Sequence, residues 1–273
     1  GDGLKAYAAA GISTDHECMT VAEAEEKIAL GMQILIREGS AAKNFDDLLP
    51  LMKNFADRIM FCSDDKHPDD LLKNGHINAL ASRAVSAGYN PVDVLRVCSY
   101  NPVKHYGLNV GLLQHGDEAD FVIVDDLKNF RINEVYIAGK KVAENGCALF
   151  EVPEGKSVIN NFHAGKISLA DIHVAPGGNS MKVIVVDDGQ LFTHSHRVAP
   201  RAVEGNVVSD VQQDVLKLVV YNRYRPSKPA VGFIRNIGLK EGAMASTVSH
   251  DSHNIVAVGA NDAEIVRAIN SLI

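Results

Sequence analysis

Short β-prone runs and segments with helical spacing alternate through the first hundred residues. The runs at 12–14, 34–36 and 58–62 indicate short strands that are apolar on both faces, which is typical of parallel strands covered by helices on both sides. A T-x-x-E pattern at Thr20 and Glu23 marks a helix start. The segments with helical spacing cover about 4–10, 20–32, 45–55, 77–87 and 92–98. This alternation predicts an α/β fold.

Polar side chains arrive where each predicted strand ends. Asp15-His16-Glu17 follows the first run, Arg37-Glu38-Gly39-Ser40 follows the second, and Ser63-Asp64-Asp65 follows the third. In parallel α/β folds, the loops after the carboxyl ends of the strands line the active site. The pattern therefore predicts that the candidate chemistry gathers at one rim.

The pattern changes after residue 107. Strands are predicted at 120–125 and 135–142, and a linker at 153–156. From 167 to 273 the sequence mixes short strands with a closing helix at about 262–272, which indicates a separate α+β unit. The strands predicted in this unit lie at 182–186, 216–220 and 255–258.

Composition and charge exclude several classes of partner. The formal net charge is −7 and the two signs are mixed along the chain, which argues against a nucleic-acid partner that would need a basic face. No stretch approaches the roughly 20 apolar residues of a membrane span, so no membrane partner is expected. The four cysteines form no C-x-x-C pair and are too sparse for a disulfide scaffold. They predict buried thiols in a reducing cytoplasm.

His16 is the first candidate metal ligand. Imidazole is the commonest transition-metal ligand in proteins, and a strand end fixes its direction. The alternative for a single D-H-E sequence is a histidine that caps a loop.

Asp64 and Asp65 form the second candidate group. Two adjacent carboxylates at the end of an apolar strand are costly unless they bind a cation or accept several hydrogen bonds. A hydrolytic metal site needs a carboxylate that also accepts a proton from the attacking water. The alternative is that one aspartate caps the helix that follows.

A third group lies near the end of the chain, at His250 and His253. A metal site, a substrate-gating loop or a hydrogen-bonded turn would each produce this segment.

The H-x-H at His194 and His196 is interpreted as surface, with metal binding as the alternative. Arg37 is a candidate for holding substrate, and a helix-entry loop explains it equally well. The basic and aromatic stretch at 221–225 is too short to indicate nucleic-acid binding.

Taken together, these residues resemble the adenine deaminase family of the amidohydrolase superfamily. The resemblance runs in order through nearly the whole chain. The G-D-E-A-D-F-V-I-V-D sequence is typical of the superfamily in general, whereas D-D-K-H-P and the last stretch are more particular to adenine deaminases. The matching stretches are AAGISTDHEC at 9–18, GMQILIREGSAAKN at 31–44, FCSDDKHPDDLL at 61–72, SYNPVKHYGL at 99–108, GDEADFVIVDDL at 116–127 and GAMASTVSHDSHNIVAVGANDAE at 242–264.

The resemblance implies a fold and a division into domains. Residues 1–106 would be the C-terminal part of a metal-dependent-hydrolase TIM-type (β/α)8 barrel. Residues 107–152 would be part of a small β-sandwich, and 153–273 a C-terminal α+β domain. The family's strand-one H-x-H, bridging carboxylate and strand-five histidine would lie upstream of Gly1. The resemblance therefore describes an N-terminally truncated chain, which we expect to be inactive alone.

The resemblance also implies residue roles. His16 would ligate metal after barrel strand six. Asp64 would ligate metal after strand eight and carry a proton from water. Asp65 resembles a carboxylate that contacts the purine in related deaminases. Glu17 is a further catalytic candidate. The candidates for further contacts with substrate are Arg37, His250 and His253.

The implied reaction is the hydrolysis of adenine to hypoxanthine and ammonia by a metal-activated water. The expected cofactor is a divalent metal, Mn or Fe, in one or two sites, with Zn as an alternative. A cytoplasmic homo-oligomer acting in purine salvage is expected. Two alternatives stay open: another cyclic amidohydrolase, similar to dihydroorotases or hydantoinases, and a non-catalytic fragment.

Overall fold

The computed structural model describes residues 1–151, 161–188, 192–250 and 252–273. The chain divides into two compact units, Gly1–Glu154 and Gly155–Ile273. The predicted linker at 153–156 and the predicted boundary between 152 and 153 lie outside the described residues. Within the described part of the chain, no helix is both long and apolar enough to cross a membrane.

A three-stranded parallel sheet organises the first unit. Its strands are β1 (Thr14–Asp15), β2 (Gln33–Arg37) and β3 (Ile59–Cys62), in the order β1-β2-β3. Asp15 pairs with Ile34, and Arg37 pairs with Cys62. Because the strands are parallel, their carboxyl ends lie at the same rim. The parallel pairing of three strands confirms the prediction from the sequence, but β1 begins at the last residue of the run predicted at 12–14 and includes Asp15.

Short helices surround this sheet. The predicted start at Thr20 is confirmed, since its hydroxyl accepts a hydrogen bond of 3.3 Å from the amide of Glu23. The helices of the unit are α1 (Asp2–Ala9), α2 (Val21–Ala29), α3 (Phe45–Leu48), α4 (Met52–Phe55), α5 (Pro68–Asn74), α6 (Ile77–Ser86), α7 (Pro91–Leu95) and α8 (Asn101–Tyr106).

Two helix predictions are wrong in detail. The helix predicted over 45–55 is divided by a 3-10 turn at Leu49–Leu51, because Pro50 lacks the amide hydrogen that a continuous α-helix needs. The helix predicted to stop at residue 98 instead continues through a π-helical segment, Arg96–Tyr100, into α8. Pro102 lies in the first turn of α8, and because it has no amide hydrogen to donate to the preceding turn, the regular α-helical hydrogen bonding is interrupted there.

One apolar core fills the first unit between the sheet and its helices. Since β2 and β3 contribute apolar side chains, burial stabilises the sheet and holds its rim in place. The largest fully buried apolar members are Phe45, Ile34, Ile36, Leu48, Leu51, Ile59 and Leu80.

A separate antiparallel sheet follows in the same unit. Its strands, in sheet order, are β4 (Phe121–Val124), β5 (Ile132–Ile137), β6 (Lys140–Glu144) and β7 (Cys147–Ala148). Phe121 and Tyr136 stack across the first pair with ring centroids 4.6 Å apart. The predicted strands at 120–125 and 135–142 correspond to β4 and to the β5–β6 hairpin.

The second unit is built on a six-stranded mixed sheet. Its order is β14-β15-β12-β13-β8-β9, and only β13 and β8 pair in parallel. A small hairpin, β10 (Ala202–Val203) and β11 (Asn206–Val207), stands apart. The strands of the large sheet are β8 (Met181–Val186), β9 (Thr193–Val198), β12 (Val215–Tyr221), β13 (Ala230–Arg235), β14 (Ala243–Ser246) and β15 (Ile255–Gly259).

The closing helix α9 (Asp262–Leu272) covers part of one face of this sheet. Its buried residues, Ile265 and Ile269, pack with Val219 of β12. Asn261 caps the helix by accepting a hydrogen bond of 3.0 Å from the amide of Glu264. The mixed α/β character of the chain is therefore confirmed, with several sheets rather than one.

A buried ion pair crosses the core of the second unit. Lys217, on β12, is 0% exposed, and its ammonium group lies 2.7 Å from a carboxylate oxygen of Asp262. The same nitrogen donates to the carbonyl of Ile172 at 3.1 Å and to Asn206 at 3.4 Å. All three protons of the lysine therefore have acceptors, as a buried charge requires.

Replacing Lys217 by Met should destabilise the chain by about 3–5 kcal/mol, because the carboxylate of Asp262 would lose its buried counter-ion. Urea unfolding followed by far-ultraviolet circular dichroism measures the change. Lys182→Met, on the exposed side of β8, is the matched control and should change stability by less than about 0.5 kcal/mol. Equal unfolding midpoints for the two variants would contradict the expectation.

Candidate metal centre

The ends of β1 and β3 bring three potential ligands together. The Nε2 atom of His16 lies 3.3 Å from Oε1 of Glu17 and 3.9 Å from Oδ2 of Asp64. One ligand atom from each residue falls within 4.8 Å of the other two. The gathering of polar side chains at one rim, which the strand pattern predicted, is therefore found. Metal binding by these residues stays a prediction.

Arg37 connects the two carboxylates of this group. Its Nη1 atom donates to Oε1 of Glu17 at 2.8 Å and to Oδ2 of Asp64 at 2.6 Å, and its Nη2 atom donates to Oε2 of Glu17 at 3.0 Å. The side chain is only 2% exposed. Burial would lower the pKa of Arg37, but the hydrogen bonds to Glu17 and Asp64 outweigh it and raise that pKa. The residue is thus a permanent counter-ion within the site, and a contact with substrate stays a prediction.

Asp64 has an uncommon backbone conformation. Its φ is 42°, in the left-handed region that few residues other than glycine adopt. Its side chain is 25% exposed and accepts the short hydrogen bond from Arg37. Aspartate is one of the residues that adopt this region more readily than most.

Asp65 points into the neighbouring loop. Its Oδ2 atom accepts a hydrogen bond of 3.0 Å from the amide of Ala41, and its Oδ1 atom is buried without a hydrogen-bond partner among the described residues. The carboxylate packs against Gly39, where an added Cβ would lie 1.6 Å from Oδ1. Its predicted contact with substrate is untested, and its contacts in this structure are with the loop that follows β2.

The alternative that Asp64 or Asp65 caps the next helix is wrong. Helix α5 has His67 at its N-cap position, and no side chain there accepts a capping hydrogen bond. The two aspartates lie before that position and make the contacts described above.

His76 supports the segment that carries Asp64. Its Nε2 atom lies 2.9 Å from the hydroxyl of Ser63. Burial lowers the pKa of His76, and the positive charge of Lys66 lowers it further. The imidazole is partly exposed, yet it is neutral over more of the pH range than an unperturbed histidine. Sequence reasoning missed this residue, because an isolated histidine in G-H-I carries no signal.

A second group of ligand-type residues lies next to the site but is organised around a lysine. Asp15, Cys18 and Glu23 surround the ammonium group of Lys27, which contacts Asp15, lies 2.7 Å from Glu23 and lies 3.4 Å from the sulfur of Cys18. Burial and the Asp15 carboxylate raise the pKa of Cys18 to about 12. The lysine supplies the cation that these groups need, so the group is structural.

The remaining predicted residues lie in the second unit. His253 is exposed, has φ of 51°, and donates its amide hydrogen to the carbonyl of Ser249 at 2.5 Å. His250 is also exposed, and Asp251 lies outside the described residues. His194, on exposed strand β9, lies 3.3 Å from Asp187. Substrate contacts by His250 and His253 stay predictions.

Two family models match separate stretches of the chain. The model of the amidohydrolase family matches residues 1–142, which is more than half of the chain. The chain belongs to the amidohydrolase family. Residues 190–273 of this amidohydrolase chain match the adenine deaminase C-terminal domain.

Curated relatives extend this similarity to the whole chain. Proteins named adenine deaminase are 52% identical in Salinibacter ruber and 48% identical in Methanosarcina mazei, in each case over 100% of this chain. A third, from Borreliella burgdorferi, is 46% identical over 98% of this chain. These matches cover 50%, 51% and 49% of the relatives, so the amidohydrolase chain spans about half their length.

Similarity to solved structures is low. The β-aspartyl dipeptidase of Fervidobacterium islandicum AW-1 matches with a TM-score of 0.40 and 21% identity, over 49% of this chain and 37% of that one.

Gly39→Ala should destabilise the first unit by about 1–3 kcal/mol, because the new methyl group overlaps the carboxylate of Asp65 and approaches the carbonyl of Ala42 to 2.9 Å. Thermal unfolding measures the effect. Gly3→Ala, in α1 with no heavy atom within 4 Å of the added Cβ, is the control and should be neutral or slightly stabilising. A Gly39→Ala chain as stable as this control would refute the packing argument.

The lowered pKa of His76 predicts a pH dependence of stability. Because the folded state binds this proton less readily than the unfolded state, stability should fall as the pH drops through the ordinary value of 6.5. His76→Gln should flatten that slope in thermal midpoints measured from about pH 7.5 to 5.5. His115→Gln, at an exposed position, should leave the slope unchanged. An unaltered slope in His76→Gln would exclude this histidine as its source.

Proposed function

We propose that this chain supplies part of the active site of an adenine deaminase, which converts adenine and water to hypoxanthine and ammonia. One observation carries the proposal: His16 and Asp64 approach to 3.9 Å at one rim of a parallel sheet, in a chain 46–52% identical to proteins named adenine deaminase. The match of residues 190–273 to the adenine deaminase C-terminal domain supports the same substrate.

The donor set fits a divalent metal. One imidazole nitrogen and two carboxylate oxygens, from His16, Glu17 and Asp64, lie close enough to meet at one ion. Imidazole and carboxylate ligands suit Mn, Fe and Zn, and we favour Mn or Fe, in one or two sites. Arg37 does not prevent this, because an ionised carboxylate has two oxygens and about four lone-pair positions.

The chain's own residues would transfer the proton and balance the charge of the site. When bound, a divalent cation lowers the pKa of water toward neutrality. Asp64 would accept the proton released by that water and return it to the departing amine, as general acid–base catalysis requires. Glu17 is a second candidate for proton transfer, because it lies beside His16 and shares the guanidinium of Arg37 with Asp64. Asp65, Arg37, His250 and His253 are candidate contacts for the purine.

We propose the corresponding domain organisation. Residues 1–106 would belong to a (β/α)8 barrel, which the parallel order β1-β2-β3 with intervening helices supports. Residues 107–152 would belong to a β-sandwich, in line with the antiparallel sheet β4-β5-β6-β7, and 153–273 would form the C-terminal α+β domain. The described cysteines are all free thiols, which suits a cytoplasmic setting.

The proposal is tested in a polypeptide of the relatives' length that contains this chain, loaded with Mn(II). Asp64→Asn should lower kcat for adenine by about 10²–10⁴, since it removes the proton acceptor while keeping the shape of the side chain. Ultraviolet absorbance follows the loss of adenine, and circular dichroism verifies folding.

Asp69→Asn is the matched control, because Asp69 is an exposed residue of α5 whose carboxylate lies 3.4 Å from the ammonium group of Lys73. Its kcat should equal that of the unaltered protein. Normal turnover by Asp64→Asn would remove Asp64 from the role. Turnover of hydantoins or dihydroorotate in place of adenine would overturn the substrate assignment.

A further inference from the structure

A single buried amide ties together the two strand ends that flank the candidate metal centre. Asn44 is 1% exposed. Its Nδ2 atom donates to the carbonyl oxygens of His16, at 3.2 Å, and Cys18, at 2.9 Å. Its Oδ1 atom accepts a hydrogen bond of 2.7 Å from the amide of Arg37. One side chain therefore contacts the segment after β1 and the last residue of β2.

These contacts fix the backbone where the site side chains leave it. The two carbonyls belong to the residues on either side of Glu17, and the first belongs to His16 itself. The bonded amide belongs to Arg37, whose guanidinium reaches Glu17 and Asp64. Asn44 thus restrains the backbone at three of the four residues that form the site, His16, Glu17 and Arg37.

Asn44 does not make the local contact that its position would suggest. It occupies the N-cap position of α3, yet its side chain makes no capping hydrogen bond. Its backbone closes the loop instead, since its amide donates to the carbonyl of Arg37 at 3.1 Å. Within that loop, Gly39 donates to the carbonyl of Ala42 at 2.8 Å. The loop therefore turns back, and the side-chain amide of Asn44 lies at the rim.

Only an amide of this size satisfies all three backbone groups. Two carbonyl oxygens require donors, and one amide requires an acceptor, which is the complement that Asn offers. Asp would keep the acceptor but place an oxygen against the two carbonyls. Because these groups are buried, water cannot replace the lost bonds without a rearrangement of the segment.

We propose that Asn44 is a positioning residue of the metal centre, which holds His16, Glu17 and Arg37 in the arrangement that binds a divalent cation. This inference rests on the proposed function, because it takes His16 and Asp64 as the metal ligands. It extends that proposal to a residue that contacts no ligand atom. Residues that orient metal ligands typically change metal affinity by about 10–100-fold when replaced.

The test measures metal affinity directly, in the same longer polypeptide. The free Mn(II) signal in electron paramagnetic resonance gives Kd without reference to turnover. Asn44→Asp should weaken Mn(II) binding by about 10–100-fold. Its KM for adenine should change much less once Mn(II) is saturating, because Asn44 is buried and its side chain contacts backbone groups.

The chain contains a matched control at the opposite end of β3. Asn101 is 7% exposed, and its Nδ2 atom also donates to two carbonyl oxygens, those of Ala56 at 2.8 Å and Ile59 at 2.7 Å. Asn101→Asp therefore removes the same pair of donor bonds from the start of that strand. It should lower stability as Asn44→Asp does and leave the Kd for Mn(II) unchanged.

If Asn44→Asp does not fold, a second variant tests whether Asn44 positions the metal centre. Asn44→Ser keeps a small polar group that can accept from Arg37 but cannot reach both carbonyls, so it should fold and bind Mn(II) more weakly than the unaltered protein. A folded Asn44 variant with unaltered Kd would overturn the inference. So would an equal loss of affinity in Asn101→Asp, which would mark a general effect of destabilisation.

The outcomes also separate this inference from the proposed function. An unaltered protein that binds Mn(II) but does not deaminate adenine would overturn the function and leave the role of Asn44 to be decided by the Kd values. Normal deamination together with unchanged affinity in Asn44→Asp would overturn only the inference. If the unaltered protein binds no Mn(II), the inference is wrong, and deamination supported by Fe(II) or Zn(II) decides the function.

Discussion

The guanidinium of Arg37 lies almost out of solvent between two carboxylates that leave different segments of the chain. One nitrogen serves both Glu17, after β1, and Asp64, after β3. Like charges that approach each other in a protein interior repel strongly, and a cation between them converts that repulsion into attraction. This counter-ion stabilises the arrangement of the rim, where the side chains of Glu17 and Asp64 are 60% and 25% exposed, because it offsets the repulsion between their carboxylates.

This arrangement also leaves room for a further cation at the site. Bidentate contact with Glu17 fixes the plane of the guanidinium, and the oxygens keep lone pairs on their other sides. A divalent ion held by His16, Glu17 and Asp64 would neutralise the same two acidic groups as Arg37, so that the protein supplies one of the two positive partners permanently.

The position of the site could be predicted from the sequence, but its internal contacts could not. Asp15-His16-Glu17 and Ser63-Asp64-Asp65 directly follow strand-like runs, and parallel strands end together, so their proximity followed from pattern alone. Arg37 ended a strand in the same way, yet nothing in the sequence separates a charge that holds substrate from one that holds carboxylates. Asn44 and Gly39 depend on the path of a loop, which local residue preferences do not determine.

The backbone of Asp64 favours some side chains over others, independently of the chemistry of the site. A φ of 42° is readily adopted by glycine, asparagine and aspartate and poorly by others. Among these three, only aspartate is ionised at neutral pH. The backbone conformation and the requirement for a charge thus independently favour aspartate at this position. A comparison of aspartate with asparagine here isolates the charge, whereas alanine would confound a missing carboxylate with a displaced turn.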